Sequence, residues 1–304
     1  MSLKVFLELV EIKAKTASVL PFLLGLCFSF YYYHQVDWTL STIFFIAMFL
    51  FNMAVDILDN YNDYHHAVDI HDYKQNTNII GREKLNPKVV FAWLSLFTLI
   101  AALLGIYLVY RTGLGLLFLG IFCFFIGIAY SSGPKPLSAL PLGEVFSGFT
   151  MGFMITLISV YVNTSQNFSW SWTNLGIIFL ISLPNVLWIA NLMLANNLCD
   201  YHEDQKNNRK TLVHYLGIKR GLNLFLLNNI IAYASIILSV GFKLLPPTLL
   251  IVLLLSGFTL KQTKKLFAKQ VKRETFSCAV KILAINSSVL TIIFGITCCF
   301  IALT

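Results

Sequence analysis

The sequence predicts an all-α membrane protein, with about nine transmembrane helices around a central cavity and the N-terminus on the cytoplasmic side. Three observations carry this prediction. Apolar residues fill 57% of 304 positions and charged residues only 12%, against roughly a quarter in soluble chains. Apolar runs long enough to cross a bilayer recur from end to end, so residues 1–304 read as a single membrane domain. The basic residues, finally, collect in alternate loops.

The spans follow in order. A charged start (Lys4, Glu8, Glu11, Lys13, Lys15) leads into a first span at 17–33, with no small-residue cleavage site between them. Further spans are expected at 39–58, 88–110, 113–130, 141–162, 174–198, 222–242, 245–260 and 281–303. The sixth holds Pro184, which predicts a kink toward the cavity. The eighth is the shortest. A basic stretch at 261–273 has the periodicity of a short interfacial helix.

With the N-terminus inside, the inner loops and their helix ends hold 20 of the 22 Lys and Arg residues; only Arg111 and Lys243 lie outside. This is the positive-inside pattern of a plasma-membrane protein. It accounts for the net charge of +8 through an anionic leaflet of the lipid bilayer, with no nucleic-acid partner. Six cysteines without CxxC spacing read as reduced, packed thiols.

The chemistry lies in the acids. Of 14 Asp and Glu residues, nine fall in the segments 56–83 and 200–204. Asp56, Asp59, Asn60 and Asp63 stand at i, i+3, i+4 and i+7, on one helical face at the end of the second span. Asn196, Asn197, Asp200 and Asp204 share an arc of about 100° at the end of the sixth. Both segments fit [DN]-N-x-x-D. Clustered carboxylates at helix C-termini repel one another and the helix dipole, so they need a cation. Oxygen-only ligands suit Mg²⁺, which keeps waters and bridges to phosphates. Two such faces across a cavity suit a diphosphate, with Lys74, Arg82, Lys84, Arg209 and Lys210 near enough to contact its oxygens.

These residues resemble the UbiA superfamily of intramembrane prenyltransferases. Asp59-Asn60-Tyr61-Asn62-Asp63 approximates its first motif, NDxxDxxxD, and Asp200 with Asp204 matches its second, DxxxD. Motif 1 then occupies 56–69 and motif 2 196–204. The inverted Asp59-Asn60 order leaves either residue as the ligand, and Asp69 stands where a later acid is tolerated. Tyr130-Ser131-Ser132-Gly133-Pro134-Lys135, Leu142-Gly143-Glu144 and Arg209-Lys210-Thr211-Leu212 are similar to the 1,4-dihydroxy-2-naphthoate polyprenyltransferase branch.

The resemblance implies Mg²⁺-dependent transfer of a polyprenyl chain from its diphosphate to an aromatic acceptor, with decarboxylation to demethylmenaquinol. It implies Asp59, Asn60, Asp63, Asp69, Asn197, Asp200 and Asp204 as catalytic or metal-binding residues. Arg82, Arg209 and Lys210 would contact the diphosphate, Tyr130 the cation or the leaving group, and Lys15 or Lys13 the acceptor carboxylate. A 4-hydroxybenzoate prenyltransferase is the nearest alternative. A cation- or proton-coupled transporter is the alternative of another class, disfavoured because the acids gather at helix ends and not at the bilayer midplane.

Overall fold

The computed structural model describes residues 1–66, 70–206 and 209–303. Among them there is no strand. The helices are α1 (Leu3–Leu9), α2 (Thr16–Tyr33), α3 (Trp38–His66), α4 (Ile79–Arg82), α5 (Pro87–Thr112), α6 (Leu114–Ser131) and α7 (Gly143–Ser147), then α8 (Ile155–Thr164), α9 (Trp172–Cys199), α10 (Tyr201–Lys206), α11 (Leu212–Gly241), α12 (Ser256–Ala268) and α13 (Lys272–Leu303). Among the described residues, eight helical segments are long and apolar enough to cross a membrane. They correspond to the first seven expected spans and the last.

The expected span at 245–260 takes another form. Pro246 and Pro247 deny the backbone two N–H donors, and a 3-10 segment (Pro247–Leu255) runs from them into α12. The basic periodicity at 261–273 is split between the end of α12 and the start of α13.

The core centres on α9, which packs against α11, α13, α7 and a π-helical segment, Gly148–Met154. Trp188, Phe28, Phe225 and Phe294 are its largest fully buried side chains. Buried amides tie the helices together. Asn191 donates to the Phe225 carbonyl at 2.9 Å and accepts from Asn228 at 2.9 Å, joining α9 to α11. Asn185 accepts from Ser287 at 2.6 Å, joining α9 to α13. Tyr233 donates to Asn286 at 2.9 Å. Such bonds average about 0.6 kcal/mol each in membrane proteins, so they fix register more than they add stability.

Glycine sets one approach. A Cβ on Gly148 would stand 2.5 Å from the Val186 carbonyl, and one on Gly152 2.6 Å from the Val186 backbone. Bare backbone here lets the segment after α7 press directly onto α9, which brings α7 against the end of α9.

Candidate active site

A cavity of about 3380 Å³ opens among α2, α3, α5, α6, α9 and α13. It is several times the 300–1,000 Å³ of a usual small-ligand pocket, which suits a long ligand. Its lining divides in two. Phe44, Met48, Phe51, Leu108, Leu116 and Phe124 belong to the apolar part. The polar part gathers Glu11, Lys15, Asp56, Asp59, Asp63, Tyr130, Asn196, Asp200, Asp204, Arg209, Lys210 and Lys272.

The first acidic face forms because α3 continues past its apolar stretch to His66. Asp56, Asp59 and Asp63 then share the cavity side. Asn60 is turned away: its amide donates to the Leu9 carbonyl at 3.4 Å and the Asp56 carbonyl at 3.1 Å, tethering α1. The geometry thus puts Asp59, and not Asn60, on the cavity wall. Asp69 lies outside the described residues.

The second face forms where α9 stops. The Asp200 N–H bonds the Asn196 carbonyl at 2.9 Å, and α10 restarts at Tyr201 with the Asp204 N–H on the Asp200 carbonyl at 2.8 Å. Asn196, Asp200 and Asp204 line the cavity. Asn197 points behind it, donating to Glu144 at 2.8 Å.

Cations already stand against these acids. Lys272 Nζ is 2.5 Å from Asp200 Oδ2, and Arg209 Nε 3.4 Å from Asp204 Oδ1. Burial pushes the Asp204 carboxyl up to about 6 against the lowering effect of Arg209. Glu11 lines the cavity from a left-handed backbone position (φ 48°). Lys15 is buried at 3% exposure, bonds Asp56 and donates to the Asn52 carbonyl at 3.2 Å. The Tyr130 hydroxyl is buried without a partner among the described residues.

Other expected contacts lie elsewhere. Arg82 is absent from the cavity lining and pairs with Glu8 at 2.6 Å and Glu83 at 3.2 Å. Lys74 stands over the Tyr64 ring at 4.5 Å. Sequence reasoning passed over Glu11 and Lys272 as site residues, because Lys272 reads as one more inner-loop cation and Glu11 as one more N-terminal charge. Glu144 stands out in the sequence only as part of the Leu142-Gly143-Glu144 resemblance.

The donors fit a hard divalent ion. Asp59, Asp63, Asp200 and Asp204 offer only carboxylate oxygens, and Asp204 Oδ2 is buried with no partner among the described residues. Among the described residues no three His, Cys, Asp or Glu side chains converge as a ready-made ion cage.

Residues 18–287 match the model of the UbiA prenyltransferase family. The chain belongs to that family. This UbiA-family prenyltransferase is 30% identical over 222 residues to the 1,4-dihydroxy-2-naphthoate octaprenyltransferase of Bacillus subtilis (strain 168), covering 73% of this chain and 69% of that one. Its fold is that of a UbiA homologue from Aeropyrum pernix K1, with a TM-score of 0.71 at 17% identity over 96% of this chain and 98% of the other. It also matches a UbiA homologue from Archaeoglobus fulgidus solved with geranyl diphosphate (GPP) and Mg²⁺, with a TM-score of 0.65 at 14% identity over 96% and 98% of the two chains. The UbiA-family chain is a multi-pass membrane protein and an enzyme of prenyl transfer.

Proposed function

We propose that this enzyme transfers a polyprenyl chain from its diphosphate to 1,4-dihydroxy-2-naphthoate, with loss of CO₂, to give demethylmenaquinol. The observation that carries the acceptor class is the 30% identity to the Bacillus subtilis octaprenyltransferase over 222 residues. The two acidic faces and the long apolar cavity agree with an isoprenoid diphosphate.

Asp59, Asp63, Asp200 and Asp204 would hold Mg²⁺, and Arg209, Lys210 and Lys272 the diphosphate oxygens. Bound Mg²⁺ supplies neutralising charge to the departing diphosphate. Tyr130 turns its ring or hydroxyl to the allylic carbon. As the C–O bond breaks, its electron pair leaves with the diphosphate. The acceptor ring carbon bearing the carboxylate attacks the allylic carbon, and loss of CO₂ restores aromaticity. No ring proton is removed, so the site needs no dedicated base at that carbon. Lys15, held by Asp56, pairs the acceptor carboxylate.

The chain acts as one membrane domain in the plasma membrane, its polar cavity end facing the cytoplasm, as the 20 inner Lys and Arg residues favour. The test supplies membranes containing the protein with Mg²⁺, a polyprenyl diphosphate and either 1,4-dihydroxy-2-naphthoate or 4-hydroxybenzoate. Decarboxylated prenyl-naphthoquinol that disappears on chelation supports the reading. Product from hydroxybenzoate alone overturns the acceptor; product from neither overturns the reaction.

A further inference from the structure

Glu144 lies outside the cavity lining, yet it is 4% exposed and holds one residue of the second acidic segment. It accepts from Asn197 Nδ2 at 2.8 Å, and Asn197 is itself 2% exposed. Its other oxygen, Oε2, is buried with no partner among the described residues. A carboxylate in such surroundings is costly, so its presence calls for a task.

The task follows from helix geometry. Successive residues on a helix are about 100° apart, so Asn196 and Asp200 fall within about 40° of each other while Asn197 points aside. Asn196 and Asp200 line the cavity, and Asn197 faces Glu144. Whatever holds Asn197 therefore sets the direction of its two neighbours. This turn needs holding. α9 carries Pro184 within it and ends at Cys199, where the chain turns into α10. A carboxylate is acceptor-only when ionised, so it fixes the Asn197 amide with nitrogen toward Glu144. Glu144 in turn is fixed, because Gly148 and Gly152 let the following segment press onto α9 at Val186.

We propose that Glu144 is a positioning residue: through Asn197 it locks the rotation of the last turn of α9, so that Asp200 faces the cavity and binds Mg²⁺ with the diphosphate. The proposal rests on the prenyltransferase reading for the metal-diphosphate ligand, but not on the identity of the acceptor.

The test is Mg²⁺ binding alone, by calorimetry on the purified full-length protein in detergent without substrates, for wild type, E144A, E144Q, N197A and E144A/N197A. Loss of a residue that orients a ligand typically weakens metal binding about 10–100-fold. E144A and N197A are expected to weaken Mg²⁺ by at least about tenfold and to raise the diphosphate KM, leaving the acceptor KM in place. E144Q, which keeps an acceptor oxygen, lies closer to wild type than to E144A. The double variant is no weaker than either single one. Unchanged Mg²⁺ affinity in E144A overturns the proposal, as does an E144Q as weak as E144A. Should E144A fail to fold, N197A against E144Q makes the same comparison. Wild type that binds Mg²⁺ but turns over neither acceptor sinks the proposed function and leaves this result to stand or fall by itself.

Discussion

Lys272 Nζ and Asp200 Oδ2 lie 2.5 Å apart, so one cavity-lining carboxylate is held by an ammonium from the start of α13. If Asp200 is a Mg²⁺ ligand, as proposed, Lys272 and the ion compete for the same carboxylate.

Lys272→Gln should therefore move two quantities in opposite directions. Lys272 is 55% exposed, so the pair is worth at most about 1 kcal/mol after solvent screening. Mg²⁺ alone should bind up to about fivefold tighter in the variant. The diphosphate KM should rise, because its oxygens lose a cation. Calorimetry and steady-state kinetics separate the two, and a fall in both affinities together would count against a shared position.

Asp63→Asn and Asp200→Asn should each lower kcat by at least about 100-fold, equivalent to roughly 2.7 kcal/mol of transition-state stabilisation. Mg²⁺-dependent turnover in membranes measures this. Activity within a few-fold of wild type in both would place the metal elsewhere.

Asp204 gives a pH dependence. With its carboxyl pushed up to about 6, it is protonated below that value and must lose a proton to bind a metal. Mg²⁺ affinity of the substrate-free protein should fall as pH drops through 6, and proton release should accompany binding. For folding the sign is opposite. The native state holds this proton more tightly than the unfolded chain, so the contribution of Asp204 to stability declines as pH rises from about 4 to 6. Calorimetry at pH 5.5 and 7.5 reads the first effect. Equal affinities would show that Asp204 is not a ligand.

Lys15 and Asp56 form a nearly buried pair. Removing one partner of such a pair typically costs about 3–5 kcal/mol, whereas replacing both is often neutral. Lys15→Met should sharply lower the melting temperature in detergent, and K15M/D56L should recover it. The double variant should still show a raised acceptor KM, which isolates the role of Lys15 in holding a carboxylate. An acceptor KM equal to wild type would leave Lys15 a structural residue.

Composition and charge alternation made the class legible, because bilayer insertion constrains every span. The two acidic faces were legible because helical spacing holds through Asp63 and to the end of α9. What eluded the sequence depends on rotation and long-range contact. Asn60 and Asn197 share their motifs with the cavity residues but face Leu9 and Glu144, and a loose helical wheel does not resolve that. Arg82 is near motif 1 in sequence yet pairs with Glu8, 74 residues away. Lys272 reaches Asp200 from 72 residues on, a contact with no local signal.

The proline-started 3-10 segment bears on reach. A 3-10 helix rises about 2.0 Å per residue against 1.5 Å for an α-helix. The nine residues of Pro247–Leu255 therefore cover about 18 Å where an α-helix would cover about 14 Å. The segment runs straight into α12, so this stretched spring adds about 4 Å to the length of that run without added residues. Converting it to a regular helix would shorten the chain's span, and the protein would have to tilt the segment less or draw the bilayer inward to match.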